Sequence, residues 1–323
     1  MGSVVAVVYL APPSENPWTW AVYNVFGFTA AAAIVVGVHR NGPQRRGFWY
    51  CFAAALAVWA VGDVVYQMQY FVWGRATFPA PAGLPYLLAY PLFGVGAYQL
   101  IKGRISGRDR AGFLDAAIVS TSLALLTWSF LMRPIAVDES LSLGQRLVAL
   151  AYPAGDLLLL VMVVRLISTP GAWTISFRLL ITAIGAQVLS DVGYAIVNMF
   201  TVYTDGVLDA GWLGMYLLWG AAALHPSMRA VSEVAPDRAE RFTPSRLVLL
   251  GAASLLAPVV LTVQGFTDPA NIDWSAIAVS SMVLFLLALC RMGGLISSVQ
   301  DQAAQLRALA HNDALTGVPN RRA

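Results

Sequence analysis

A chain of 323 residues with 58% hydrophobic and only 11% charged side chains, a formal net charge of +3 and a mean hydropathy of +0.67 has too few ionic groups to cover a soluble surface of that size. The composition excludes an ordinary soluble domain. Because the Lys and Arg residues sit in short connectors rather than on one face, it also gives no nucleic-acid surface. Cys51 and Cys290, like His39, His225 and His311, lie far apart without ligand spacing, so neither a disulfide framework nor a metal site is predicted.

The reading is an all-α polytopic membrane protein. About nine apolar segments are long enough to cross roughly 30 Å of hydrocarbon: 19–38, 48–73, 84–101, 111–132, 147–168, 179–201, 208–226, 247–265 and 274–290. Residues 1–18 lack the basic start of a cleaved signal peptide, so the first span is expected to stay. Of the 20 Lys and Arg residues, 17 fall in alternate connectors and the tail; only Arg75, Arg133 and Arg146 fall in the others. Basic connectors resist translocation, which predicts the amino terminus outside, the carboxyl terminus in the cytoplasm and an odd number of spans. Trp18, Trp20, Trp49, Trp73, Trp173 and Trp274 fall near span ends and read as interfacial anchors.

Four carboxylates lie within predicted spans: Asp63, Asp115, Asp156 and Asp191. A charged group at mid-bilayer costs about 2.5–3.5 kcal/mol on insertion scales, so these should face the bundle interior and are the candidate sensing residues. Asp115 is expected to form an ion pair with nearby Arg108 or Arg110; for Asp63 and Asp191 the alternative to a ligand pocket is a hydrogen bond to a Tyr, Ser or Gln such as Gln187. Pro91 and Pro153 interrupt the backbone ladder inside spans and predict kinks that could frame a cavity. Asp63-Val64-Val65-Tyr66 matches Asp191-Val192-Gly193-Tyr194, and Tyr86-Leu87-Leu88 matches Tyr216-Leu217-Leu218, so a parallel internal repeat four spans apart is expected.

Beyond Arg291 the ninth span should continue as a cytoplasmic helix. Ile296, Val299, Ala303, Leu306 and Ala310 are spaced as a coiled-coil seam, and Gly293-Gly294 at its start offers a hinge. The tail then reads Asp313-Ala314-Leu315-Thr316-Gly317-Val318-Pro319-Asn320-Arg321-Arg322. This resembles the D-x-L-T-G-L-P-N-R-R opening motif of GGDEF domains, the enzymes that condense two GTP into cyclic di-GMP; nine of the ten positions fit, with Val318 in place of Leu. Asp313, Leu315, Thr316, Gly317, Pro319, Asn320, Arg321 and Arg322 are carried over as motif residues without a catalytic role.

The resemblance implies a diguanylate cyclase truncated at the start of its GGDEF domain, with no active site and no cofactor in this chain. GTP and Mg2+ would belong to the missing domain, and an EAL domain after it is left open. It divides the chain into a transmembrane input domain (1–290), a coiled-coil signalling helix (291–312) and the first residues of the output domain (313–323). The expected setting is a bacterial cytoplasmic (inner) membrane and the expected state a homodimer that responds to a small-molecule or membrane signal. A secondary transporter, suggested by the repeat and the carboxylates, and a passive membrane anchor are the rival readings.

Overall fold

The computed structural model describes residues 17–74, 78–105, 109–169, 171–201, 203, 206–233 and 244–311. In lipid a chain must satisfy its backbone within each segment, and these residues do so as helices, with no strand among them. The helices are α1 (Pro17–Asn41), α2 (Gly47–Phe71), α3 (Gly83–Arg104), α4 (Arg110–Ala136), α5 (Leu143–Ser168), α6 (Ile175–Phe200), α7 (Val207–Leu224), α8 (Pro244–Thr267) and α9 (Trp274–His311). Each predicted span falls on one of them. Among the described residues, eight helices, α2 to α9, are long and apolar enough to cross a membrane, as a multi-pass membrane protein requires. The starts are set locally: Asp109 caps α4, Thr174 caps α6, and Ser142 with Gln145 forms a capping box on α5.

Helix packing divides the molecule into two groups. α1, α2, α3, α5, α6 and α7 form a closed ring, in that order, each packing on the next and α7 returning to α1. α4 packs outside the ring against α5, and α8 and α9 pack on α4. Each group has its own core: the ring's includes Ile34, Phe52, Trp59, Phe93, Phe177 and Trp219, and the outer trio's includes Ile118, Leu125, Leu250, Val260, Ile277 and Leu284.

Without a hydrophobic drive between helices in lipid, close packing depends on small residues. At the α1–α7 contact a Cβ on Gly37 would lie 2.2 Å from the Ala223 carbonyl oxygen, and one on Gly220 would lie 3.5 Å from Ala33. The ring has a filled axis. Phe52 and Trp219 centroids are 4.7 Å apart, Phe93 and Trp219 5.5 Å, and Trp59 and Phe93 6.3 Å, so an aromatic plug occupies the half nearer the basic connectors.

The predicted repeat has a spatial counterpart. Three steps around the ring carry α1 to α5, α2 to α6 and α3 to α7, so the matched helices stand opposite one another. Tyr23 of α1 and Tyr152 of α5 add a third correspondence, which the sequence reading missed.

α9 is a single helix of 38 residues, about 57 Å long at 1.5 Å per residue. Gly293 and Gly294 lie inside it without a break. Two polar staples hold it to α4. At its start Asp273 accepts from the Trp128 indole (2.7 Å) and lies 3.6 Å from the Arg133 guanidinium; it also accepts from the Ala276 amide and the Ser275 hydroxyl. Partial burial works against the Asp273 charge, but these donors prevail and hold its carboxyl below the usual carboxylate range. Trp128 opens a π turn, Trp128–Met132, at the point where α4 meets the start of α9. At the basic end, the Arg291 Nε donates to Asp115 at 2.7 Å, and both side chains are buried.

That second staple gives Asp115 a partner beyond the two expected, Arg291 of α9, 176 residues away, because α4 turns Asp115 toward α9. Arg108 lies outside the described residues. Trp49 is a correction. It is fully buried against Phe48 and Phe52 rather than anchored at an interface, whereas Trp73, Trp173 and Trp274 are about half or more exposed. The side chains of Trp18 and Trp20 lie outside the described residues.

Candidate functional site

Three of the four predicted carboxylates gather in the ring, in the half away from the basic connectors. Asp63 of α2 accepts from Tyr86 of α3 (2.8 Å) on one oxygen and from Tyr216 of α7 (2.7 Å) on the other. Its two donors are the equivalent tyrosines of the repeat, so one carboxylate ties both halves together. Gly62, beside it, makes room: a Cβ there would lie 2.6 Å from the Tyr86 ring. Asn24 of α1 and Gln67 of α2 are hydrogen bonded one helical turn further along. Asp63 is thus held by hydroxyl donors, the kind of partner the sequence reading set against a ligand pocket.

The other two carboxylates meet. Asp156 of α5 accepts from Tyr90 of α3 at 2.8 Å, and its carboxyl group lies beside that of Asp191 on α6. Asp191 accepts bonds from the Trp212 indole of α7 (2.8 Å) and from Gln187, one turn back on α6 (2.6 Å). Gly155 lets Tyr90 reach Asp156, since a Cβ there would lie 2.6 Å from the ring. Pro91 and Pro153 lie inside α3 and α5, directly beside Tyr90 and two residues from Gly155. A proline removes the bond to the carbonyl four residues back, so both breaks in the ladder flank the carboxylates.

The fourth carboxylate, Asp115, stands apart in the outer trio. Among the described residues no group of three His, Cys, Asp or Glu side chains converges as a metal site. Of the predicted seam, Ile296 and Val299 are exposed on α9; the side chains of Leu306 and Ala310 lie outside the described residues, as does the whole motif from Asp313 to Arg322.

The aromatic donors were only partly legible. Tyr86 and Tyr216 stood out as repeat partners, but Tyr90 and Trp212 look like any other aromatic in an apolar helix. Arg104 was counted only as a topology signal. It is fully buried, lies 4.0 Å over the Phe177 ring and donates to the Val231 carbonyl, fastening α3 to α6 and to the short helix Pro226–Ser232.

If Asp63 carries the join between the halves, Asp63→Leu strands two buried hydroxyls and should cost about 2–6 kcal/mol, at 1–3 per unsatisfied group. Asp63→Asn, which keeps an acceptor, should cost less than half of that. Denaturant unfolding in detergent micelles measures both, and equal losses would refute the role given to the tyrosines.

Comparison with protein-family models, curated proteins and solved structures returns no match to this chain.

Proposed function

We propose that this chain is the membrane input module of a dimeric signalling enzyme, and that the output resembling a GGDEF domain follows α9. The observation that carries this reading is the course of α9. It crosses beside the ring and continues as the same helix to His311, two residues before the motif. Its exposed apolar residues Met282, Phe285, Leu289, Met292, Ile296 and Val299 fall at intervals of 3 and 4, one heptad stripe that runs unbroken from the membrane into the predicted seam. A second copy of the chain is the partner such a stripe fits. The charge count places this end in the cytoplasm, where GTP is found.

The ring is the receiving part. α5 carries Asp156 and is linked at the basic end to α4 by the Arg165–Asp109 ion pair (2.8 Å); α4 is linked to α9 by Asp115–Arg291. A signal that changes the packing around Asp156 and Asp191 reaches α9 through α4, provided that it binds two packings with different affinity. The transporter reading draws on the pseudo-twofold arrangement of the ring. The aromatic plug counts against it.

The test joins residues 1–310 to a cyclase domain of known activity. Asp191→Asn should change cyclic di-GMP output at least threefold, and Val299→Cys should form a disulfide-linked dimer under mild oxidation. Unchanged output across Asp63, Asp156 and Asp191 variants would leave only an anchor. Uptake of solute into proteoliposomes would favour the transporter.

A further inference from the structure

The Asp156–Asp191 pair has features that the switch reading does not use. Gln187 is 3% exposed and gives its amide N–H to Asp191, yet its carbonyl oxygen Oε1 has no partner. A buried acceptor left without a donor costs about 1–3 kcal/mol, so it marks a place where a donor belongs. Beside it stand the carboxyl groups of Asp191 and Asp156. No Lys or Arg lies near mid-span in α2, α3, α5, α6 or α7 to pair with these carboxyls; those in α3, α5 and α6 fall at the helix ends.

The walls are aromatic. Tyr194, Tyr203 and Trp212 form a triangle with centroids 5.7, 5.9 and 6.5 Å apart, each pair edge to face, and Trp212 is bonded to Asp191. Aromatic faces attract cations, and most strongly where water is excluded. The place is also approachable. On the ring-facing stripe of α6, Ile184 and Gln187 are buried, Asp191 is partly exposed, Tyr194 is 44% exposed and Asn198 is exposed. Burial thus falls steadily toward the α6–α7 connector, the end that the charge count places outside.

We propose that the ring binds a primary ammonium compound here, its nitrogen donating to Gln187 Oε1 and to the Asp156–Asp191 carboxyls, its carbon body against Tyr194, Tyr203 and Trp212. Each part of the site selects a part of the ligand. The carboxyl pair asks for a positive charge, the unpartnered carbonyl for an N–H, and the three rings for an apolar or cationic body. A hard metal ion would want six or more oxygens and would gain little from the rings. This names the signal for the input module proposed above, but the binding itself needs no output domain.

The experiment uses the full chain in nanodiscs of zwitterionic lipid at pH 7, with affinities read by saturation-transfer NMR. The probes are n-butylammonium, its neutral analogue 1-butanol, and tetramethylammonium, a cation without N–H donors. n-Butylammonium should bind at least tenfold more tightly than either of the others. Gln187→Leu and Asp191→Asn should each weaken it at least tenfold, and Tyr194→Leu, at the mouth and outside the hydrogen-bond set, about threefold to fivefold. Thermal melts identify any variant that fails to fold, and Tyr194→Leu keeps the test decisive if the inner variants do. Equal binding of n-butylammonium and 1-butanol would overturn the site, as would an unchanged affinity in Gln187→Leu; tetramethylammonium binding as tightly as n-butylammonium would overturn its assignment to a primary amine. A chimera that still responds to Asp191→Asn after the binding test fails would separate the two proposals.

Discussion

Arg291→Met should lower the stability of the protein by about 3–5 kcal/mol, the usual loss when one member of a buried ion pair is removed and the other stays. The reason is geometric. Asp115 and Arg291 are both buried where α4 packs on α9, bonded at 2.7 Å, and Ile118, one turn along α4 from Asp115, is buried and apolar. The double variant Asp115→Leu/Arg291→Met should recover at least half of the loss, because it removes both charges and leaves a hydrophobic contact. A thermal melt in detergent measures stability, and the chimera measures output. Output should fall in the single variant and stay uncoupled from Asp191 in the double one. A loss below about 1 kcal/mol would mean that the pair is screened like a surface salt bridge and holds nothing together.

The second large effect is expected at Gly37. An alanine there would place Cβ 2.2 Å from the carbonyl oxygen of Ala223, a backbone atom in α7 that cannot rotate aside. Gly37→Ala should therefore separate α1 from α7 and cost about 3 kcal/mol or more, the upper end of overpacking losses. Gly185→Ala is the control. No atom lies within 4 Å of a Cβ at Gly185, so the same substitution should be neutral or stabilise α6 by up to about 1 kcal/mol through helix propensity. Opposite signs in the two unfolding curves would identify the ring closure as the sensitive contact; matching signs would show that α1 is free to shift.

Hydropathy made the helices legible because each span is apolar over its whole length, and every predicted span lies on a helix. The same uniformity hid the packing. A helix that is apolar all round shows no preferred face, so nothing in α4 or α9 announced that they would stand outside a ring. Asp115 illustrates the limit: its nearest basic residues in sequence are Arg108 and Arg110, and nothing in its own segment pointed to its bond with Arg291, since helix neighbours in the bilayer are chosen by small and polar residues far apart in the chain. Trp49 was misread because a span end is also the first turn of a packed helix. The carboxylates fared better. Their cost in lipid required interior positions, and Asp63, Asp156 and Asp191 have them; which tyrosines and which tryptophan would meet them depended on the ring order, which spacing alone does not contain.

The two halves of the ring use their matched aspartates differently. Asp63 is saturated by tyrosines from both halves and has nothing left to offer, while Asp191, its counterpart, keeps company with an amide, an indole and a second carboxyl. A ring with two such matched positions lets one hold the shape while the other is free to change. Substitutions around Asp191 that spare Tyr216 would then retune what is recognised without loosening the join at Asp63.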